Sequence, residues 1–291
     1  MVENNNNNTD TDNDNDNDNK TTDTQKTLTN EAIMRIGRDV RDIMREPIEH
    51  VHYIHSSREV DKAYVVIVGT EHTPYFCVPM FYSIQYPSDY PYQPPKMKFL
   101  SYSSPNGVSI RMHPNYYVNG KCCLSILNSW SGEQWTGCQT IRSVLMTIMM
   151  TLNENPLENE PGHKKSKQCD EYRAIVADAG INLISQFLTG DSKIRFCEDD
   201  VENEEINMQM KEYFVNSIVK RYYTNNMTNG LLYSLLNETQ HDEKSNYLTK
   251  WMTPFKIPNM DEHYIPCYRL TCKIDYDKTR EKAVSVLNKY L

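Results

Sequence analysis

Apolar positions along this chain change their period several times, and each change marks an element. Between residues 30 and 46, Ile33, Ile36, Val40, Ile43 and Met44 recur at helical steps and form one stripe. Asn30 or Thr29 can cap that helix, and Pro47 ends it. Arg35, Arg38, Arg41 and Arg45 lie mostly off the stripe, as a solvated face or as a partner-docking one. The period then shortens. Ala63–Gly69, Val78–Gln85 and Lys96–Ser101 are short runs rich in aromatic and β-branched residues, and they read as strands of an antiparallel meander. Before the last of them stands Tyr90-Pro91-Tyr92-Gln93-Pro94-Pro95-Lys96, whose prolines exclude both helix and central strand and predict a rigid surface loop.

The helical period returns over Gln139–Asn153, with Ile141, Val144, Leu145, Ile148, Met149 and Leu152 on one face. Its methionines read as core filler rather than as a binding surface. Residues 166–189 predict a further helix, with Tyr172, Ile175, Ile181 and Ile184 among its apolar positions and Gly180 weakening it. Beyond about residue 191 the composition changes. An acidic stretch, Asp199–Glu205, precedes a predicted helix over Ile206–Tyr223 that carries Met208, Tyr213, Ile218 and Tyr222. A Tyr- and Asn-rich connection, the segment Trp251–Pro258 and a last helix over Tyr276–Leu291 complete the chain.

Composition changes this picture at the N-terminus. Residues 1–28 are a tract of Asn, Asp and Thr with too little apolar surface to offset its ordering entropy, so disorder is expected there. Its alternating aspartates lack the central glycine and terminal glutamate of a calcium loop. No apolar stretch in the chain reaches transmembrane length, and the N-terminal tract has no signal-peptide core, so an intracellular protein, cytoplasmic or nuclear, is expected. The eight cysteines include no CxxC pair and no zinc-type spacing, which favours reduced thiols and no metal. A net charge of −8 argues against nonspecific nucleic-acid binding.

Candidate chemistry concentrates in His113–Cys123, HPNYYVNGKCC. The segment offers a thiol, a side-chain amide and a glycine turn between them, but no His–Asp pair of the kind that activates a hydrolase. In an extended segment Cys122 and Cys123 point to opposite faces, so only one can meet a substrate.

Taken together, the first helix, the meander, YPYQPPK, HPN, NGKCCLSIL, Trp135, the next helix and ENPLENEPG resemble a ubiquitin-conjugating enzyme. The likeness spans residues 30–190, and the long loop LSILNSWSGEQW is similar to that of the subclass with C-terminal extensions. It implies an α+β fold: an N-terminal helix, a four-stranded antiparallel meander, an active-site loop and C-terminal helices. The expected organisation is a tail over 1–28, a catalytic core over 29–190 and a mostly helical extension over 191–291. The last would either enlarge the core or select substrates, ligases or the modifier.

The resemblance further implies that an activating enzyme passes ubiquitin, or a related modifier, as a thioester to Cys123. From there it moves to a substrate lysine or a ligase, with no cofactor on this chain. The nucleophile in this pattern directly precedes Leu-x-Ile-Leu, which is Cys123; Cys122 takes a position usually filled by a buried apolar residue. Asn115 stabilises an oxyanion, ties down the loop, or does both. His113 and Pro114 are structural. An acidic residue that assists the incoming lysine maps to Glu158 or to Glu160. The ligase-docking edge maps to Pro91, Tyr92, Gly137 and Cys138, with Gly137-Cys138 standing where the commoner pattern has Pro-Ala, and Arg35 and Arg38 belong to the partner-facing helix. Phe76-Cys77-Val78 replaces glycines found in many relatives, which predicts a differently shaped turn. The alternative reading is a non-catalytic scaffold of the same fold that binds ubiquitin or a partner enzyme.

Overall fold

The computed structural model describes residues 27–101, 109–163, 168–191, 194–219, 262–287 and 289–290. Expectations for residues 1–26, for residues 220–223 and for Trp251–Pro258 lie outside the described residues.

Helix α1 (Asn30–Arg45) begins where the Thr29 side chain accepts a hydrogen bond from the Ala32 amide. Its buried face is Ala32, Ile36, Asp39 and Ile43, a stripe rotated from the one the sequence suggests. Ile33 and Met44 are 42% and 58% exposed, and an aspartate takes a core position. Asp39 is tolerated because it is saturated: it accepts from Arg35 Nε at 2.9 Å, from the Tyr90 hydroxyl and from the Ile141 amide at 3.4 Å.

The meander has four antiparallel strands in sequential order, β1 (Val51–His55), β2 (Lys62–Val68), β3 (Pro79–Gln85) and β4 (Lys96–Phe99). Strand β1 was not placed by the sequence, because His52 and His55 interrupt its apolar signal. All of Ala63–Val68 is buried, so β2 is covered on both faces and reads as a continuous apolar run instead of an alternation. One covering layer comes from the C-terminal part of the chain. Phe187 and Phe196 pack on Phe81, Phe196 on Tyr64, and the Tyr213 ring stacks on His52.

In the turn between β2 and β3, Cys77 itself adopts the left-handed conformation at φ 61° and donates its amide to the Gly69 carbonyl. The turn therefore closes without a glycine at that position.

Helix α2 (Ile141–Thr151) opens on a capping box formed by Thr140 and Ser143. Ile141, Val144, Leu145 and Ile148 are buried as expected, and Met149 packs at the core's edge. Met146 and Met150, however, are exposed, so only one of the three is core filler.

Helix α3 (Gln168–Thr189) is 22 residues long and presses so closely on the sheet that a Cβ at Gly180 would lie 2.5 Å from Val78 Cγ2. Asp199 then caps α4 (Asp200–Tyr213), so the helix starts within the acidic stretch, ahead of Ile206. Favourable pairing of acidic side chains with the helix N-terminus is why the acidic composition and the helix coincide. The extension also contains a hairpin, β5 (Glu262–Ile265) and β6 (Leu270–Lys273), before α5 (Tyr276–Leu287). One hydrophobic core runs from Ala32 to Val286.

Candidate active site

The segment after β4 folds back beside it. Phe99 donates its amide to the Gly120 carbonyl at 2.8 Å, and Lys98 pairs with Lys121. Gly120 sits at φ 91°, and a Cβ there would lie 2.9 Å from the Phe99 carbonyl oxygen, which explains the glycine of NGK. Tyr116 pairs with Cys122, and the Tyr117 amide donates to the Lys121 carbonyl, so residues 115–123 close into a tight loop.

That loop ends on a double tie between Asn115 and Cys123. The Cys123 amide donates to the Asn115 carbonyl at 2.8 Å, and Asn115 Nδ2 donates to the Cys123 carbonyl at 2.7 Å. Asn115 Oδ1 is buried and accepts nothing from the described residues. One amide hydrogen of Nδ2 is committed to the tie, which leaves a second for another acceptor.

His113 is fully buried behind this turn. Its Nδ1 accepts the Asn115 amide at 3.0 Å, and its Nε2 lies 2.9 Å from the Thr151 carbonyl at the end of α2. The two contacts define a neutral ring protonated at Nε2, and burial pushes its pKa down to about 3. Both ring nitrogens are thereby committed to backbone groups of the turn and of α2. Pro114 is buried, and its carbonyl accepts from Arg111. The Tyr116 hydroxyl lies 2.6 Å from Thr151 Oγ1, adding a second link from the turn to α2.

The two adjacent cysteines are inequivalent. Cys122 belongs to the hydrophobic core, and burial pushes its thiol up to about 12. Cys123 is outside that core cluster, although only 5% of it is exposed. Burial therefore disfavours the Cys122 thiolate.

The two acidic candidates also separate. Glu158 is exposed in the turn Pro156–Asn159, whereas Glu160 is half-buried and accepts a hydrogen bond from the Tyr268 hydroxyl at 2.8 Å. Tyr268 lies at the tip of the β5–β6 hairpin, a residue no local pattern points to.

The edge assigned to partners is assembled at the N-terminal side. Arg35 donates to the carbonyls of Gly137 and Gln139 at 2.9 and 2.5 Å, so its guanidinium is engaged within the chain, while Arg38 is exposed. Trp135 Nε1 donates to the Pro91 carbonyl at 2.7 Å, placing Gly137 next to the proline loop. Tyr92, Gly137 and Cys138 are exposed and Pro91 is buried. The organiser of this edge is Asp39, which the sequence signals only as an Arg–Asp pair at positions i and i+4. Among the described residues no group of three or more metal-binding side chains gathers, and no helix is long and apolar enough to cross a membrane.

Fold and site together define an α+β domain in which a four-stranded meander is followed by a tight loop that ties Cys123 to a His-Pro-Asn turn. Residues 35–179 match the sequence profile described as ubiquitin-conjugating enzyme, and through them the chain belongs to that family. Ubiquitin-conjugating enzyme E2 Z of Xenopus tropicalis is 34% identical over 145 residues, covering 50% of this chain and 45% of that protein. The Homo sapiens E2 Z is 35% identical over 137 residues, covering 47% of this chain and 38% of that protein. The chain thus aligns with less than half the length of these relatives. The structure of human ubiquitin-conjugating enzyme E2 G1 overlaps 43% of this chain and 97% of its own at 25% identity, with a TM-score of 0.37.

Proposed function

We propose that the chain is a ubiquitin-conjugating enzyme that carries ubiquitin, or a ubiquitin-like modifier, as a thioester on Cys123. The Cys123 thiolate attacks the carbonyl carbon of the thioester on an activating enzyme. A new C–S bond forms, the old one breaks, and the activating enzyme's sulfur leaves as thiolate. In the second step a substrate lysine attacks the same carbon, or a ligase cysteine takes the acyl group. Cys123 leaves as thiolate and the amine sheds a proton. The observation that carries this reading is the double tie of Cys123 to Asn115 of the His-Pro-Asn turn, which Cys122 does not share.

In this scheme His113 and Pro114 hold the turn. Asn115 positions Cys123 through one amide hydrogen and offers the other to the oxyanion. Glu158 and Glu160 are the acidic groups near the incoming lysine. Arg38 on α1 faces a partner protein, and Tyr92, Gly137 and Cys138, with Pro91 and Arg35 beneath them, form a ligase edge. ATP is consumed upstream, so no cofactor acts on this chain, and the compartment is intracellular, cytoplasmic or nuclear.

A charging assay with activating enzyme, ATP and ubiquitin, read on gels with and without reductant, tests the reading. Wild type and Cys122→Ala should give a reductant-sensitive adduct, and Cys123→Ala should give none. A second reading, a scaffold that binds ubiquitin or a partner enzyme without chemistry, draws support from the 5% exposure of Cys123. Failure of the wild type to charge with ubiquitin and with a panel of related modifiers and activating enzymes would favour it.

A further inference from the structure

We propose that Tyr268 of the C-terminal hairpin is a positioning residue for transfer to lysine, orienting the Glu160 carboxylate and bracing the turn that holds Cys123. This rests on the reading of Cys123 as the acyl carrier and of Glu160 as the carboxylate that meets the incoming lysine.

Tyr268 makes three contacts that converge on the site. Its hydroxyl donates to Glu160 Oε2 at 2.8 Å. Its ring faces the Arg111 guanidinium at 4.5 Å, which lies between that ring and Tyr117 at 3.8 Å. Its far side packs on Tyr172 at 5.6 Å, and the Tyr172 hydroxyl donates to the Arg111 carbonyl at 2.7 Å. Arg111 in turn donates to the Pro114 carbonyl, the residue before Asn115. One side chain from the extension therefore joins the acidic turn to the His-Pro-Asn turn. Burial holds the Tyr268 hydroxyl well above its ordinary range, so it remains a donor to the carboxylate at neutral pH.

The two half-reactions should feel this differently. Thiol exchange onto Cys123 begins and ends with a thiolate and needs no base. Attack by lysine begins from an ammonium with an ordinary pKa of about 10.4 and must lose a proton, so it depends on where a nearby carboxylate is held. A hydrogen bond to a charged group, once lost, corresponds to roughly a tenfold rate effect when it acts only in that step.

The test uses the full chain and separates charging from single-turnover discharge to free lysine. Tyr268→Phe keeps the ring over Arg111 and removes only the hydroxyl; it should slow discharge about tenfold relative to charging. Glu160→Gln should slow it at least as much, and the double variant should be no slower than Glu160→Gln alone, since Tyr268 acts through the carboxylate that Glu160→Gln abolishes. Tyr264→Phe, on the same hairpin but 52% exposed, is the control expected to match wild type. Additive losses in the double variant, or wild-type discharge by Tyr268→Phe, overturn the role while leaving Cys123 as carrier. Equal slowing of charging and discharge together with a lower melting temperature also overturns it, as a purely structural effect. A wild-type chain that never charges removes the reaction itself, and the role with it.

Discussion

The turn around His113 and the seam between α3 and the extension each bury one titratable side chain, and they treat it oppositely. His113 is neutral with both ring nitrogens partnered, and burial pushes its pKa down to about 3. Asp178 of α3 is 2% exposed, and its Oδ1 has no partner among the described residues. Burial pushes its pKa up to about 7; a bond from Thr279 pulls it down and the nearby Asp275 pushes it further up. The first group closes a loop with groups from the same turn and from the end of α2. The second sits where α3 meets the residues around α5, roughly 100 positions later in the chain, and its ionisation opposes that contact. The comparison teaches that the buried group of the His113 turn is satisfied at both polar atoms, while docking of the extension carries a cost that grows with pH.

The largest expected effect is at Asp178. Its carboxyl titrates near 3.8 when unfolded and about 7 when folded, so the native chain binds more protons between those values. Stability should fall as pH rises through that window and level off above it, by about 4 kcal/mol for a shift of about three units. In urea unfolding, Asp178→Asn should exceed wild type at pH 8 and converge with it near pH 4. A difference that does not change with pH would break the contrast.

His113 carries the opposite sign. The unfolded imidazole takes up a proton below its ordinary 6.5, and the native ring refuses it until about pH 3. Stability should therefore fall as pH drops, by about 2 kcal/mol at pH 5, since each pKa unit is worth about 1.4 kcal/mol. His113→Asn should be less stable throughout and lack that slope, which denaturant curves at pH 7.5 and pH 5 would reveal.

The smallest effect probes how tightly α3 lies on the sheet. Gly180→Ala places a Cβ 2.5 Å from Val78 Cγ2, a crowding cost of about 1–3 kcal/mol, less about 1 kcal/mol of gained helix propensity. The net loss should be about 1 kcal/mol in thermal unfolding. Adding Val78→Ala to Gly180→Ala should remove the crowding part of that cost; no interaction between the two substitutions would mean that α3 and β3 are less closely packed than the geometry indicates.

Much of the core was legible because its signals are short-ranged. The run Ala63–Val68, the cap at Thr29 with Pro47 downstream, and the apolar face of α2 act within a few residues of themselves. The rotation of the α1 stripe was not legible. Whether Asp39 can join Ile36 and Ile43 on the buried face depends on Tyr90 and Ile141, which arrive from 51 and 102 positions away. At the site, the choice of Cys123 over Cys122 follows from the motif. The separation of Glu160 from Glu158 needed Tyr268, and the hairpin carrying it has only four residues per strand.

By itself the sequence determined the helices of the core, three strands of the meander, the proline loop and the choice between the adjacent thiols, because periodicity, capping and turn chemistry are local. Only the tertiary structure decided which carboxylate is held and that the extension reaches the active-site turn. Those outcomes rest on burial and on hydrogen bonds between residues as far apart as the 108 positions separating Glu160 from Tyr268. No local pattern encodes a partner at that distance; the packed core that brings the two ends together does.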